Sequence, residues 1–143
     1  MKTKILLLIV TSFFLINLSS CKKKEQPETK SETLTKSKWE LYKTETYDLN
    51  NNLLNTDTDE NVYFDFKTNH ELVITDENEN DTDTIEWDMN KEENKIYFID
   101  PNTNRAFPFI IKKLEEQDMI LEQYHEAANK AKISTYKVWY YRR

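Results

Sequence analysis

The segment Thr84-Ile85-Glu86-Trp87-Asp88-Met89 places an apolar side chain at every odd position from Ile85 to Met89 and a polar one at every even position. Successive side chains of a β-strand point to opposite faces, so this period of two predicts a strand with one buried and one solvent-exposed face. A helix would instead repeat its apolar residues every three or four positions. The segment therefore predicts a sheet that covers a single apolar core.

The same alternation recurs from residue 35 onward, in segments where β-branched and aromatic residues are concentrated. These segments are residues 39–47, 62–66, 72–74, 96–98, 107–111, 119–121 and 133–141. Together with residues 84–89 they make eight predicted strands, and the short links between them favour antiparallel neighbours. The predicted fold is all-β, a small eight-stranded antiparallel up-and-down barrel, because closure removes exposed sheet edges.

The chain contains no glycine. This absence excludes the P-loop, the dinucleotide-binding fingerprint and the nucleophile elbow, which all require glycine. Clusters of Asn and Asp, such as residues 90–94, separate the strands, and Asn tolerates a left-handed backbone better than most residues. We expect Asn to replace glycine in the turns. The one helix we expect is a short one over residues 123–131, between the last two strands.

The N-terminus has the pattern of a signal peptide. Lys2 and Lys4 precede an apolar run over residues 5–18, which is shorter than the roughly 20 residues of a transmembrane helix. The sequence Leu18-Ser19-Ser20-Cys21 resembles the bacterial lipobox. That resemblance implies cleavage after residue 20 and attachment of diacylglycerol to the sulfur of Cys21, so that the protein is anchored to a membrane through this lipid.

Cys21 is the only cysteine, so the chain has no intramolecular disulfide. A free thiol behind an ordinary signal peptide is the alternative to lipidation. Residues 21–33 are polar and are predicted to form a tether, in which the lysines at 22–24 either contact anionic headgroups or are simply solvated. Residue 22 is not the aspartate associated with inner-membrane retention, which by resemblance favours the outer membrane of the cell envelope.

The predicted barrel domain is residues 34–143, and over about residues 34–141 it resembles the lipocalin-like lipoproteins of the Bacteroidota. The resemblance is carried by the lipobox, the tether, the eight strands and Leu34 five residues before Trp39. Lipocalins open their first strand with Gly-x-Trp, whereas this chain has Ser37-Lys38-Trp39. The resemblance implies that Trp39 closes one end of the barrel under a cation supplied by Arg142 or Arg143, and that the activity is binding without catalytic residues.

Catalysis and cofactors receive no support from the residues. The two histidines, His70 and His125, lie in a predicted turn and at a strand end, outside any motif. Nucleophilic catalysis needs a nucleophile, a base and an orienting group together, so we predict a protein that is not an enzyme and has no cofactor. Residues 1–20 contain two lysines and no acid, so the rest of the chain has a net charge of −8 from 18 basic and 26 acidic side chains. This balance argues against nucleic acid as a partner.

Residues 76–83 resemble a calcium loop in their density of Asp, Glu and Asn. An EF-hand requires glycine at its sixth position and glutamate at its twelfth, and this chain has Asp81 and Trp87 there. A solvated hairpin is therefore expected and no metal is predicted, with a low-affinity calcium site at Asp76, Asn78, Asn80 and Asp81 as the alternative. Asp57, Asp59 and Glu60 add to the same acidic rim if both loops meet at one end of the barrel.

Two functions fit this pattern. In the first, the barrel binds a small hydrophobic molecule, and in the second a packed barrel of the inhibitor or immunity type binds an envelope protein through its acidic loops and exposed aromatic residues. We favour the first, with a monomer as the expected state. The predicted barrel lining consists of Trp39, Phe64, Phe66, Trp87, Phe98, Phe107 and Phe109.

Overall fold

The computed structural model describes residues 28–58, 61–126 and 133–143. In these ranges the chain forms one helix, α1 (Lys30–Thr35), followed by nine strands. The strands are β1 (Trp39–Asp48), β2 (Leu53–Asp57), β3 (Val62–Phe66), β4 (Glu71–Asp76), β5 (Asp81–Met89), β6 (Lys95–Asp100), β7 (Arg105–Leu114), β8 (Asp118–Glu126) and β9 (Ile133–Arg142).

Eight of the strands form a closed barrel. From β3 to β9 each strand pairs antiparallel with the next one along the chain, and β1 pairs with both β3 and β9. Closure therefore depends on the pairing of the first strand with the last. The prediction of an eight-stranded antiparallel up-and-down barrel is confirmed, and the ninth strand, β2, is an addition that pairs with β1 alone.

A bulge in β1 changes which of its residues face the core. Trp39 and Leu41 are buried, but the register against β9 shifts between Leu41 and Lys43, and the buried residue after the bulge is Thr44. Strict alternation over the predicted strand 39–47 would place Tyr47 on the same face as Trp39. That assignment is wrong, because a one-residue bulge moves every later side chain to the opposite face.

The helix prediction over residues 123–131 is also wrong where the structure describes it. Residues 123–126 belong to β8 and pair with β9, while residues 127–131 lie outside the described ranges. The observed helix, α1, begins at Lys30, inside the segment predicted as a tether. Its N-terminus is a capping box in which the side chains of Thr29 and Glu32 bond each other's backbone N–H groups, a pattern visible in the sequence as Thr-x-x-Glu.

Asparagine takes the place of glycine in the turns, as predicted. Asn51, Asn61, Asn80 and Asn104 all have a positive φ angle between 52 and 68°. His70 and Glu93 share this left-handed conformation, which the sequence did not indicate. In both cases the local turn is held by a backbone hydrogen bond, from His70 to Lys67 and from Glu93 to Asn90.

Candidate functional site

The end of the barrel at which β1 begins is closed by α1 and by the C-terminus. Leu34 and Trp39 are fully buried there, and the indole Nε1 of Trp39 donates a hydrogen bond of 3.0 Å to the Leu34 carbonyl oxygen. The guanidinium carbon of Arg143 lies 4.0 Å from the centroid of the Trp39 ring. Arg143 also donates hydrogen bonds to the carbonyl oxygens of Thr33 and Glu116. The covering cation expected for Trp39 is therefore Arg143.

His70 contributes to the same closed end as a structural residue. Its ring stacks on Trp87 with 5.2 Å between centroids, and its Nδ1 lies 3.1 Å from the Trp87 carbonyl oxygen. Trp87 in turn donates from its indole Nε1 to the Lys67 carbonyl oxygen. These contacts hold the Lys67–His70 turn against the base of the barrel. The side chain of the second histidine, His125, lies outside the described side chains.

A chain of aromatic contacts crosses the middle of the barrel. The ring of Tyr141 lies 5.1 Å from Phe64 and Phe64 lies 6.4 Å from Phe98. Phe98 lies 4.4 Å from Phe109, and Phe109 lies 6.0 Å from Trp139. The chain thus starts and ends on β9, because Trp139 and Tyr141 occupy successive inward positions of that strand. All distances join ring centroids.

The predicted lining residues lie on the inner face of the barrel, and all except the half-buried Phe107 are in the buried core. The sequence-based prediction omitted Trp139 and Tyr141. Alternation along β9 could have placed both of them inward, but Tyr136, Val138 and Tyr140 are also apolar, so the sequence did not distinguish the two faces.

Two polar atoms inside the barrel have no hydrogen-bond acceptor among the described residues. They are the hydroxyl of Tyr141, a residue that is 1% exposed, and the indole Nε1 of Trp139. Burial raises the pKa of Tyr141 well above its ordinary value, so this hydroxyl keeps its proton and is a donor at neutral pH. Buried polar groups in folded proteins nearly always have a partner, so these two donors are exceptions, as are Arg143 Nε at the closed end and Glu122 Oε1 on β8.

The loops at the opposite end are exposed and acidic. The backbone N–H of Glu77 donates to the Asn61 carbonyl oxygen at 3.0 Å, so the β2–β3 and β4–β5 connections do meet at this end. Asp57 lies in β2, whereas Asp59 and Glu60 lie outside the described ranges. The Asp76 carboxylate accepts bonds from the N–H groups of Asn78 and Glu79 within its own turn. In residues 28–58, 61–126 and 133–143 no three His, Cys, Asp or Glu side chains are grouped to hold a metal ion.

The strand pairing defines a closed, eight-stranded, up-and-down antiparallel barrel of the lipocalin-like type. No protein-family model and no curated protein matches the chain. Among solved structures it is similar to a lipocalin-like protein from Bacteroides uniformis ATCC 8492, with 12% identity and a TM-score of 0.49, over 77% of this chain and 98% of that one. No helix within the described ranges is long and apolar enough to cross a membrane.

Proposed function

We propose that the protein is a lipid-anchored binding protein of the cell envelope, whose barrel holds a small, largely apolar molecule that carries a hydrogen-bond acceptor. One observation carries this proposal. The Tyr141 hydroxyl and the Trp139 Nε1 are buried donors without an acceptor, and both belong to a chain of contacting aromatic rings.

The chemistry of these donors defines the ligand. An indole N–H can only donate, and a buried donor left without an acceptor costs roughly 1–3 kcal/mol. Trp139 and Tyr141 are two residues apart on β9, so their Cα atoms are separated by about 7 Å along the strand. We propose that carbonyl, carboxyl or ester oxygens of the ligand accept from these donors, while the rings of Phe64 and Phe109, which contact Tyr141 and Trp139, pack against its apolar part.

The position of α1 supports an anchor at the closed end of the barrel. Lys30, the first residue of α1, lies within the segment predicted as a tether, and its Nζ donates to the carbonyl oxygen of Glu93 in the β5–β6 turn. Strand β1 has 10 residues, about 33 Å of chain at about 3.3 Å per residue, and a strand tilt of about 40° places the opposite end of the barrel roughly 25 Å away along its axis. A lipid on Cys21 therefore holds the closed end toward the membrane and leaves the opposite end accessible.

Native mass spectrometry of the full chain, extracted from membranes in a mild non-ionic detergent, tests the proposal. We expect the wild-type protein to carry an added small-molecule mass, or to take up palmitic acid or its methyl ester. The double variant Tyr141→Phe with Trp139→Phe keeps rings but removes both donors, and it should lose this mass. Tyr136→Phe, which removes a hydroxyl on the outer face, should retain it. The intact mass also reports whether the chain begins at a lipidated Cys21.

The outcomes separate the two parts of the proposal. A folded wild-type protein without added mass, which takes up neither palmitic acid nor its ester, contradicts binding in the barrel. Retention of the ligand by the double variant contradicts the role of the two donors. A chain that keeps residues 1–20, or that carries no lipid on Cys21, contradicts the anchor only.

A further inference from the structure

Within the part of the chain that the structure describes, one edge of strand β2 is unpaired. The other eight strands pair on both sides within the closed barrel, whereas among the described strands β2 pairs only with β1. All five of its residues are exposed. Natural edge strands are commonly protected by lysine, proline or a covering segment, but Leu53–Asp57 contains neither residue type. The unpaired N–H and C=O groups of this edge are thus available to another extended chain.

Apolar side chains are concentrated beside this edge. The register places Leu53 opposite Tyr47, Tyr47 opposite Tyr136 and Tyr136 opposite Tyr124, so these four residues form one row across β2, β1, β9 and β8. We call it the tyrosine row. The ring centroids of Tyr47 and Tyr136 are 5.2 Å apart, and those of Tyr136 and Tyr124 are 5.5 Å apart. Leu53 and Tyr124, at the two ends of the row, are 53% and 44% exposed.

The row lies on the outer face of the sheet, so it does not belong to the site inside the barrel. The Tyr136 hydroxyl donates to Asn51 Oδ1 at 2.9 Å, which links β9 to the β1–β2 hairpin. Next to the row, Glu45 accepts hydrogen bonds from the hydroxyls of Tyr47 and Tyr140. These contacts hold the side chains of the row in place before any partner binds, which reduces the entropy cost of binding.

The acidic residues near the β2 edge favour a partner segment that carries positive charge. Asp57 lies in β2 and Asp48 ends β1 at the adjoining hairpin, and neither forms an ion pair with a lysine or arginine among the described residues, whereas Glu45 and Asp65 pair with Lys43 and Lys67. A second copy of this chain paired through β2 would bring the Asp48 and Asp57 carboxylates of both copies to the same edge, and like charges close together across a strand pair are destabilising. A segment that carries lysine or arginine gains from the same charges, since complementary potentials accelerate association and exclude wrong partners.

We propose that the free edge of β2 and the tyrosine row form a docking surface for an extended segment of another protein, one that combines basic and apolar residues and adds to the sheet as a further strand. Main-chain hydrogen bonds to β2 supply the pairing, and outward side chains of the segment contact Leu53, the member of the tyrosine row next to the edge. This surface is independent of the barrel interior.

A fluorescent peptide of alternating lysine and valine, titrated into the full chain in a non-ionic detergent, tests this proposal by anisotropy and hydrogen–deuterium exchange. We expect saturable binding that weakens with salt, together with slower exchange in residues 53–57. Leu53→Ser should weaken binding about five-fold or more, because it removes most of an apolar contact. Leu49→Ser is the matched control, since Leu49 is 56% exposed on the same hairpin but lies outside β2, and it should bind as the wild type does.

Other results overturn the proposal. Equal binding of a peptide in which proline replaces every valine would show attraction by charge without strand pairing. Equal binding of a glutamate–valine peptide would remove the charge argument. Failure of the lysine–valine peptide to bind, or a dimer in sedimentation analysis that protects residues 53–57, would likewise contradict a basic partner segment at this edge.

Discussion

At the scale of single residues, the guanidinium group of Arg143 makes two kinds of contact at the closed end of the barrel. It lies over the ring of Trp39, and it donates to two carbonyl oxygens, one in α1 and one in the β7–β8 turn. Arg142, its neighbour, instead bonds the Glu40 carboxylate on the outer face. The two adjacent arginines therefore stabilise different parts of the barrel: Arg143 the closed end and Arg142 the outer face.

We expect Arg143→Met to lower the free energy of unfolding by about 1–3 kcal/mol, because the cation–π contact and two hydrogen bonds are lost while the apolar stem is kept. Denaturant unfolding of the full chain measures this change. The comparison variant is Arg142→Met, which loses a half-exposed ion pair with Glu40 and a cation–π contact at 5.3 Å from the Tyr42 centroid, each worth about 0–1 kcal/mol at such a site. Equal losses in the two variants would contradict a special role of Arg143.

The sequence-based prediction named Arg142 or Arg143 as the cation over Trp39, and the sequence pattern did not distinguish between the two. Arg142 is the last residue of β9, and its pairing with Glu40 directs it outward. Arg143 lies past the end of the strand, where alternation no longer determines the direction of a side chain. The choice therefore depended on the position of α1, which provides an acceptor for Arg143.

At the scale of elements, α1 joins the barrel through one apolar side chain. A helix of 6 residues is too short to be stable by itself. Its capping box satisfies the first N–H groups, and Leu34, which is 1% exposed, packs beside Trp39. Among the described residues, α1 from Lys30 onward is thus packed against the barrel.

Leu34→Ala should therefore cost about 2–4 kcal/mol of unfolding free energy, since it leaves a cavity in the core. Hydrogen–deuterium exchange should increase first in residues 30–35, because packing rather than propensity holds this helix. Leu54→Ala is the control, as Leu54 is 57% exposed and its truncation should change little. An unchanged stability and exchange rate in Leu34→Ala would show that α1 is not part of the folded unit.

For most strands the sequence predicted which face lines the core, because one face is apolar and the other is polar. Phe64 and Phe66 of β3 are buried, as are Phe98 of β6 and Phe109 of β7, all as alternation predicted. In β9 both faces are apolar, so only pairing with β1 and β8 determined which one lines the barrel. In β1 the bulge reversed the pattern, and nothing in the local sequence marks its position.

At the scale of the whole molecule, buried tyrosines connect the stability of the barrel to alkaline pH. Burial raises the pKa of Tyr141, and burial together with the nearby Glu45 carboxylate raises the pKa of Tyr140. An unfolded tyrosine loses its proton near pH 10, whereas the folded protein keeps these protons to a higher pH. These two protonated tyrosines therefore make their full contribution to the free energy of unfolding below about pH 10, and this contribution decreases as the pH rises above that value.

Tyr141→Phe removes the Tyr141 part of this dependence. At pH 7 we expect the variant to be at least as stable as the wild type, because it deletes a buried hydroxyl that has no acceptor among the described residues. Between pH 10 and 11 the wild type should lose up to about 1.4 kcal/mol more than the variant. Urea unfolding at pH 7, 10 and 11 measures both effects, and Tyr63→Phe controls for loss of a hydroxyl as such.

A parallel dependence on pH in wild type and Tyr141→Phe would show that the hydroxyl is not buried in the folded protein. That result would also weaken the proposal of a ligand bound between Trp139 and Tyr141, since both rest on the same enclosed position. A loss of stability at pH 7 in the variant would show that the hydroxyl has an acceptor in solution.

The sequence by itself determined what depends on neighbouring residues in the chain. The alternation of apolar and polar residues predicted the strands, asparagine supplied most of the left-handed turns, and Leu18-Ser19-Ser20-Cys21 supplied the predicted anchor. The tertiary structure alone decided what depends on contacts between distant strands. The pairing of β1 with β9 closes the barrel, directs Trp139 and Tyr141 inward, and leaves β2 with a free edge. These features arise from cross-strand register, which no local pattern encodes.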